Sequence, residues 1–490
     1  MISATRSIVL LMACCAFLSL SAVAQTTGSI SGTVEDEKGA VIPNATVTVR
    51  NIATNEIRTA RTDDEGRYRL VNMPVGEYEL TVEGGGFAKH VRTGISLVLN
   101  QSAVVNVEMK AAGVQEVVNV TENASMLNTT TAEVSTRFDS RRLSELPLST
   151  TRSIYNVALS APGISQVVTG QSLFAGANTT FSANGGRVRS NNFMIDGQDN
   201  NDFGVAGATV GLNNPDLIQE VRLVTNQFTA EFGRNGSAVF NAITKSGSND
   251  YHGSAFWFHN DNALNACNNL DKAGGFCNPN ATAQSKRHAP FRIENQAGLT
   301  IGGPLHFPRF GEGGKSYFSG RDRTFFFFSL QRWWDRQIGS GFTINGAPNE
   351  AGRQALQAGA GNRPQVAALL RFLPAATGPC TGTNCAPLTF TANGQTFSVP
   401  KGSLTGSSSI ALNDWQQSIR VDHNLTKNHT LTGRYIYQDQ DGIGSNTGQS
   451  TPSGHNHNFL TRAQAVNLSL NSVLTPRIVN ELRGAYLRNA

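Results

Sequence analysis

The second half of the chain, residues 250–490, is built from segments of about ten residues in which apolar and polar side chains alternate. The apolar faces of the clearest segments are formed by Ile293, Ala297, Leu299 and Ile301; by Ile419, Val421 and Leu425; by Leu431, Tyr435 and Tyr437; and by Val466, Leu468 and Leu470. Successive side chains of a β-strand point to opposite faces, so a period of two predicts strands with one apolar side. The pattern therefore predicts an antiparallel β structure for this half of the chain.

A long apolar run occurs only at the N-terminus, over residues 8–20. No other run approaches the roughly 20 residues that a membrane helix needs. The hydrophobic content of 39% is also low for an α-helical membrane protein. Any membrane-spanning part must therefore be β, and strands in lipid must close into a barrel because their edges cannot stay unpaired there.

A soluble β-sandwich shows the same alternation and is the alternative to a barrel. Aromatic residues cluster at the ends of predicted strands, in residues 256–258, 325–328 and 333–334. Such rings belong at membrane interfaces, which favours the barrel.

The connections between the predicted strands are long on one side and mostly short on the other. The outer connections are expected over residues 260–288, 336–412 and 441–461, and the inner ones over 303–322, 426–429 and 475–477. Two of the inner connections are tight turns, and 303–322 is the exception. Outer-membrane barrels have this asymmetry.

The N-terminus, residues 1–24, is predicted to be an export signal. Arg6 supplies the positive charge before the apolar run, and Ala22-Val23-Ala24 forms a small-residue cleavage site. A transmembrane helix is the alternative, but the run is short and small residues follow it. A lipoprotein signal is disfavoured because the residues before Cys14 fit it poorly.

Two pairs of cysteines remain after the signal. They are Cys267 with Cys277 and Cys380 with Cys385. An exported chain meets an oxidising compartment, so two loop-closing disulfides in outer connections are predicted. A zinc site is the weaker alternative, because the spacings do not match and no His lies close to both pairs.

Residues 28–110 read as short alternating strands separated by turns such as Asp63-Asp64-Glu65-Gly66, which predicts a small β-sandwich. The stretches 28–51, 59–87 and 104–110 resemble the carboxypeptidase regulatory-like domain, of the transthyretin-like or carbohydrate-binding-like class. The resemblance implies an accessory domain rather than an enzyme. His90 is the only histidine of this region, and Tyr68 and Tyr78 are expected in the core rather than on a sugar-stacking surface.

Residues 111–128 form a linker that contains a β-prone string, residues 114–121. It resembles a TonB box, the segment through which the TonB protein pulls on its receptors. The candidate residues are Val114, Glu116, Val117, Val118 and Val120. The resemblance implies β-augmentation, in which an extended segment adds an edge strand to its partner through main-chain hydrogen bonds. An ordinary inter-domain strand is the alternative.

Residues 129–247 resemble the plug domain of TonB-dependent receptors, through the stretches 143–164, 181–202 and 214–258. Asp196 and Gly197 are expected to form a tight turn within this plug. Residues 302–305, GGPL, followed by 323–328, RTFFFF, resemble the Oar-like subgroup.

The ordered resemblances identify the chain as a member of the TonB-dependent outer-membrane receptors. The expected fold is mainly β: a transthyretin-like sandwich, an α/β plug, and an incomplete transmembrane antiparallel barrel over 250–490. About seven strands fit this last region, whereas plugged transporters use about 22, so a fragment or a broken or split gene is expected. The resemblance implies cell-outer-membrane localisation, with the N-terminal domain in the periplasm.

The implied partners are TonB with its inner-membrane energising complex, outer-membrane lipid and a transported substrate of unknown class. The alternative function is a structural, adhesion or protein-export component of the Oar type. A net charge of +5 spread along the chain argues against nucleic acid.

No catalytic, cofactor-binding or metal-binding constellation is predicted. Residues 311–316 end like a phosphate loop, but Arg309 stands where the motif requires glycine. Asp196, Asp199 and Asp202 do not match a calcium loop, and His455 and His457 lie in a predicted solvated loop. An enzyme with a regulatory domain would need a catalytic domain that the sequence does not show.

Overall fold

The structure is a computed structural model. It describes residues 27–112, 118–121, 132–146, 152–167, 181–202, 207–229, 232–233, 236–282, 286–308, 317–361, 363–372, 374–443, 458–475 and 478–490. The predicted export signal, three residues of the candidate box (Val114, Glu116 and Val117), the glycine-rich turn at 311–316, His455 and His457 lie outside the described residues.

The N-terminal unit is a sandwich of two sheets. Its strands are β1 (Gly28–Asp36), β2 (Thr46–Asn51), β3 (Ile57–Arg61), β4 (Arg67–Met73), β5 (Gly76–Glu83), β6 (His90–Leu97), β7 (Ser102–Val104), β8 (Val107–Met109) and β9 (Val118–Thr121). One sheet has the order β4-β1-β7, with β8 also paired to β1, and the other has the order β3-β2-β5-β6-β9. Alternate residues such as Val47, Val49 and Leu80 are fully buried between the sheets. The predicted N-terminal sandwich is confirmed.

The second unit, which we call the plug, mixes strands with short helices. Its strands are β10 (Val134–Asp139), β11 (Ile164–Gln166), β12 (Phe181–Ala183), β13 (Asn192–Ile195), β14 (Gln198–Asp199), β15 (Ile218–Asn226) and β16 (Val239–Thr244). Helix α1 (Ser140–Glu145) and 3-10 helices at Ile154–Ser160, Val188–Ser190 and Pro215–Leu217 connect them. Five strands form a sheet of order β10-β15-β16-β13-β14. Its core contains Tyr155, whose ring centroid lies 5.4 Å from that of Phe193 and 5.0 Å from that of Phe240.

The third unit, which we call the wall, is an antiparallel sheet of seven strands in sequence order. These are β17 (His252–Asp261), β18 (Arg292–Pro304), β21 (Thr324–Pro348), β24 (Lys401–Thr426), β25 (His429–Ile443), β26 (Asn458–Thr475) and β27 (Ile478–Asn489). Its connections carry α2 (Asn269–Ala273), β19 (Phe307–Pro308), β20 (Tyr317–Phe318), α3 (Glu350–Ala360), α4 (Pro364–Phe372), β22 (Leu388–Ala392) and β23 (Gln395–Val399). In the described chain β17 and β27 each pair with one neighbour, so the wall is open.

The two faces of the wall have inverted polarity. On the outer face Ile419 is 45% exposed and Leu468 is 53% exposed, whereas on the inner face Gln416 and Ser469 are only 6% and 8% exposed. Most apolar side chains of these strands thus point away from the protein, and many polar ones are buried against the plug. Phe325, Phe327 and Trp333, which were predicted at the membrane interface, instead face inward and are each 2% exposed. This arrangement suits a lipid-facing outer surface and confirms the predicted incomplete barrel. Among the described residues no helix is long and apolar enough to cross a membrane.

One predicted connection differs from the structure. Residues 336–412 were expected to be an outer connection, but β21 continues to Pro348 and β24 begins at Lys401, with lengths of 25 and 26 residues. The two strands stay paired along this extension. About ten residues suffice to cross the membrane, so this ribbon continues beyond it. Its many Gly, Ser and Thr residues hide the period of two, which explains why the sequence pattern failed there.

Candidate functional site: the interface between plug and wall

A two-residue turn at the end of β13 carries the main charged contact between plug and wall. Asp196 and Gly197 connect β13 to β14 with φ values of 49° and 72°. Positive φ at both central positions is typical of the tight turns that match strand twist, and glycine adopts it without steric cost. The turn directs the Asp196 carboxylate towards the wall.

Both oxygens of the Asp196 carboxylate are satisfied. Its Oδ1 accepts a hydrogen bond from the Thr244 backbone N–H at 2.8 Å, and its Oδ2 accepts one from the Thr244 hydroxyl at 2.8 Å. From the wall, Arg434 Nη1 lies 2.7 Å from Oδ2 and Arg420 Nη1 lies 3.6 Å from Oδ1. Burial opposes ionisation, but the guanidinium groups of Arg434 and Arg420 outweigh it and hold the pKa of Asp196 below its usual value.

The two arginines also bind their surroundings. Arg434 donates a second hydrogen bond to the Gln198 side chain, whose Nε2 donates in turn to the Tyr486 carbonyl on β27 at 3.1 Å. Arg420 pairs with Asp422 at 2.9 Å and donates to the Thr244 carbonyl at 2.9 Å. The β13–β14 turn is thereby tied to three wall strands: β24, β25 and β27.

A second contact is made by the plug segment that precedes β15. Gln438 accepts a hydrogen bond from the Gly211 N–H at 2.8 Å, and Gln416 donates to the Gly211 carbonyl at 2.6 Å. Asn213 donates to the Asp414 carboxylate at 3.1 Å. Inward-facing wall side chains therefore bind the plug backbone itself, without requiring particular plug side chains at Gly211.

Two further wall residues extend this contact towards β18 and β21. Gln296 donates to the Asn213 carbonyl at 2.8 Å, and Asn214 donates to the Ser329 hydroxyl at 3.0 Å. All these groups are buried, so a substitution that removes one partner leaves the other without that hydrogen bond inside the closed interface. Sequence reasoning missed the whole contact. In the sequence, this contact was indicated only by the polar side chains on the inner face of the alternating segments.

The N-terminal unit lies against the side of the plug and wall where the short connections lie. Ala53 accepts a hydrogen bond from the Asn249 N–H at 2.9 Å, and Asn55 donates to Asp322 at 3.1 Å. Leu99 accepts one from Arg222 of the plug at 3.1 Å. A cavity of about 750 Å³ lies between the three units, and its polar lining includes the Asp196, Arg420 and Arg434 cluster.

The structure describes part of the candidate TonB box. Val118 and Val120 lie on β9, whose backbone pairs in parallel with β6. The structure also brings the predicted cysteine pairs together, with Cα–Cα distances of 6.3 Å for Cys267 and Cys277 and 5.4 Å for Cys380 and Cys385. Both pairs lie in connections on the side of the wall opposite the N-terminal unit. Within the described residues, no group of three or more His, Cys, Asp or Glu side chains could hold a metal ion.

Comparisons with known proteins agree with this architecture. The family described as outer membrane beta barrel domain matches residues 243–490, which is about half of the chain. The family described as carboxypeptidase regulatory-like domain matches residues 29–110. The barrel family assigns the chain to the outer membrane.

Similarity to individual proteins covers smaller shares. The TonB-dependent transporter Oar of Myxococcus xanthus is 30% identical over 247 residues, which is 48% of this chain and 22% of that protein. The chain thus spans about a fifth of the length of this curated relative. A mutant ferric enterobactin receptor of Pseudomonas aeruginosa, solved with enterobactin, is 11% identical with a TM-score of 0.40, over 72% of this chain and 41% of that one.

The matches and the inverted polarity of the wall lead to one assignment. The chain belongs to the outer membrane beta barrel family, in a form that carries an N-terminal carboxypeptidase regulatory-like domain and is similar over 247 residues to the TonB-dependent transporter Oar.

Proposed function

We propose that the chain is part of a TonB-dependent transporter, which moves a substrate across the outer membrane while TonB supplies the energy. The N-terminal unit would lie in the periplasm. The observation that carries the proposal is a plug with its own sheet, held on the inner face of a membrane wall by many buried polar side chains. The similarity to the Oar transporter supports it.

The chemistry of the interface suits a part that must be held and then released. Apolar contact contributes as well, because Phe327, Ile436, Ala463 and Ala465 of the wall share a buried cluster with the plug core, and exposing them on release costs free energy in proportion to their area. Polar contacts such as Arg434 with Asp196 and Gln416 with Gly211 exchange protein partners for water instead. Their net contribution is about 0.5–1.5 kcal/mol each, or about 1.5–3 kcal/mol where a charge takes part.

Force would enter through the candidate box, residues 114–121. The box precedes β10, the first strand of the plug sheet, and β10 pairs with β15 over Val134–Asp139. A pull on the box therefore reaches the edge strand of the plug sheet before it reaches the contacts at Asp196. Loosening those contacts would open a path beside the wall for the substrate.

The test is deletion of residues 114–121 in the full-length protein. TonB-dependent growth on a panel of iron chelates, glycans and peptides should be lost, while outer-membrane insertion is retained. A segment of the same length that alternates Pro and Ser is the matched control for linker length, because Pro lacks the backbone N–H that β-augmentation requires; uptake should stay lost with it. Unchanged uptake after deletion would contradict the box assignment.

The alternative, a structural, adhesion or export component, predicts a different outcome. Such a protein shows no TonB-dependent uptake of any compound in the panel, whether or not the box is present. Cell-surface or secretion defects would then be the phenotype.

A further inference from the structure

The candidate box is docked on the N-terminal unit of its own chain. Strand β9 lies beside β6 in parallel, with His90 opposite Val118, Val91 opposite Asn119, Arg92 opposite Val120 and Thr93 opposite Thr121. Strand β6 pairs with β5 on its other side. The last four residues of the box thus form the edge strand of a five-stranded sheet. This is β-augmentation within one chain.

The chain that leads to the box is fixed close to the docking edge. The Ala112 N–H donates to the Gly86 carbonyl at 3.0 Å, and the Ala88 N–H donates to the Lys110 carbonyl at 2.8 Å. Gly86 and Ala88 immediately precede β6. Only residues 113–117 separate this fixed point from β9, so the tether is short. A short tether gives a docked segment an effective concentration of the order of millimolar, against which an external partner must compete.

We propose that the β6 edge is an intramolecular docking strand that holds the TonB box, so that TonB gains the box by strand exchange. The inference rests on the proposed function, in which residues 114–121 are the box. Both partners would use main-chain hydrogen bonds of the same residues, Val118–Thr121. The apparent affinity for TonB is then the intrinsic affinity multiplied by the fraction of molecules in which the box is undocked.

Docking has a mechanical consequence as well. The N-terminal unit is itself bound to the plug through Leu99 and Arg222, and to a connection of the wall through Asn55 and Asp322. A docked box therefore belongs to a unit that rests on the plug and wall. Strand exchange separates the box from that unit before any pull can reach β10.

A reversible crosslink tests the proposal in the full-length protein. Val91→Cys with Asn119→Cys places two cysteines on directly paired residues of β6 and β9. Neighbouring strands lie about 4.8 Å apart, which a disulfide can span. The expected result is a crosslink that forms on mild oxidation, seen as a disulfide-linked peptide. Failure of the pair to crosslink would overturn the docking.

Binding of the purified periplasmic domain of TonB is then measured for the oxidised and the reduced protein. We expect at least tenfold weaker binding when the crosslink is closed, with recovery on reduction. Reductant also acts on the native cysteine pairs. The controls for that effect are the two single-cysteine variants and the unmodified protein, each measured with and without reductant. Equal binding by the oxidised and reduced forms would overturn strand exchange, because TonB would then be adding to the outer edge of β9.

Hydrogen exchange gives a second readout that needs no substitution. If TonB removes β9, the β6 amides that face it in residues 90–93 should exchange faster in the TonB complex. If these amides keep their protection, strand exchange is refuted. If the reduced and unmodified proteins do not bind TonB at all, the proposed function fails instead, and the two failures are distinguishable.

Discussion

Replacing Arg434 by alanine should release the β13–β14 turn of the plug from the wall. The Arg434 side chain is only 1% exposed and lies 2.7 Å from the Asp196 carboxylate, which is 14% exposed. Removing one partner of a buried pair costs about 3–5 kcal/mol. Thr244 and Arg420 still stabilise the carboxylate, so we expect the low end of this range, about 3 kcal/mol.

The effect should appear as a larger population of the detached turn. About 3 kcal/mol corresponds to roughly a 100-fold change in an equilibrium constant. Hydrogen exchange of peptides that cover Asp196–Asn201, in the full-length protein in detergent, should therefore be about 100-fold faster. Peptides of the N-terminal core around Val47 should be unaffected, because they make no contact with Arg434.

A matched control tests whether burial is the cause. Arg462 also pairs with an aspartate, Asp439, at 3.0 Å, but on the outer face, where the two side chains are 54% and 41% exposed. Exposed pairs contribute about 0–1 kcal/mol, so Arg462→Ala should leave plug exchange unchanged. Equal exchange in the Arg434→Ala variant and the unmodified protein would refute the reasoning. So would an equal effect of the two substitutions.

Further predictions concern the cysteine pairs and His90. Cys267–Cys277 and Cys380–Cys385 should resist alkylation until reduced, and peptide mass spectrometry should find the links within each pair and not between pairs. Burial first, and then the charge of Arg92, lowers the pKa of His90 below its usual value near 6.5. The unfolded chain therefore binds this proton at a higher pH than the folded one does. The contribution of neutral His90 to the free energy of unfolding is complete above about pH 6.5 and decreases as the pH falls below it. Urea unfolding of the N-terminal unit within the full chain, compared with His90→Gln between pH 5 and 8, checks this; parallel curves for the two proteins would contradict it.

Local patterns in the sequence predicted the wall well. The apolar faces that contain Ile419 and Leu468 were correctly separated from the polar faces, because alternation depends only on neighbouring residues. The tight turn at Asp196-Gly197 also has a local signature. The predicted strand ends were wrong where Gly, Ser and Thr interrupt the apolar alternation, as in the paired extension of β21 and β24.

Contacts between residues that are far apart in the sequence could not be predicted from such local patterns. Asn213 and Asp414 are about 200 positions apart, and their hydrogen bond depends on how the plug is placed against the wall. The pairing of β9 with β6 depends on which sheet edge is free near the linker, which requires the topology of the whole sandwich.

Force measurement on the full-length protein in a bilayer tests the central claim most directly. A handle attached after Thr121 pulls on the plug through β10 and on the N-terminal unit through β9, which should leave β6 first. The account predicts that residues 132–244 extend before any wall strand leaves the barrel, and at lower force in the Arg434→Ala variant. Forced unfolding follows the unfolding rate, so loss of the buried ion pair should lower the barrier. Extension of wall strands before the plug, or an unchanged force in Arg434→Ala, would contradict a plug that is held by these contacts and released by pulling.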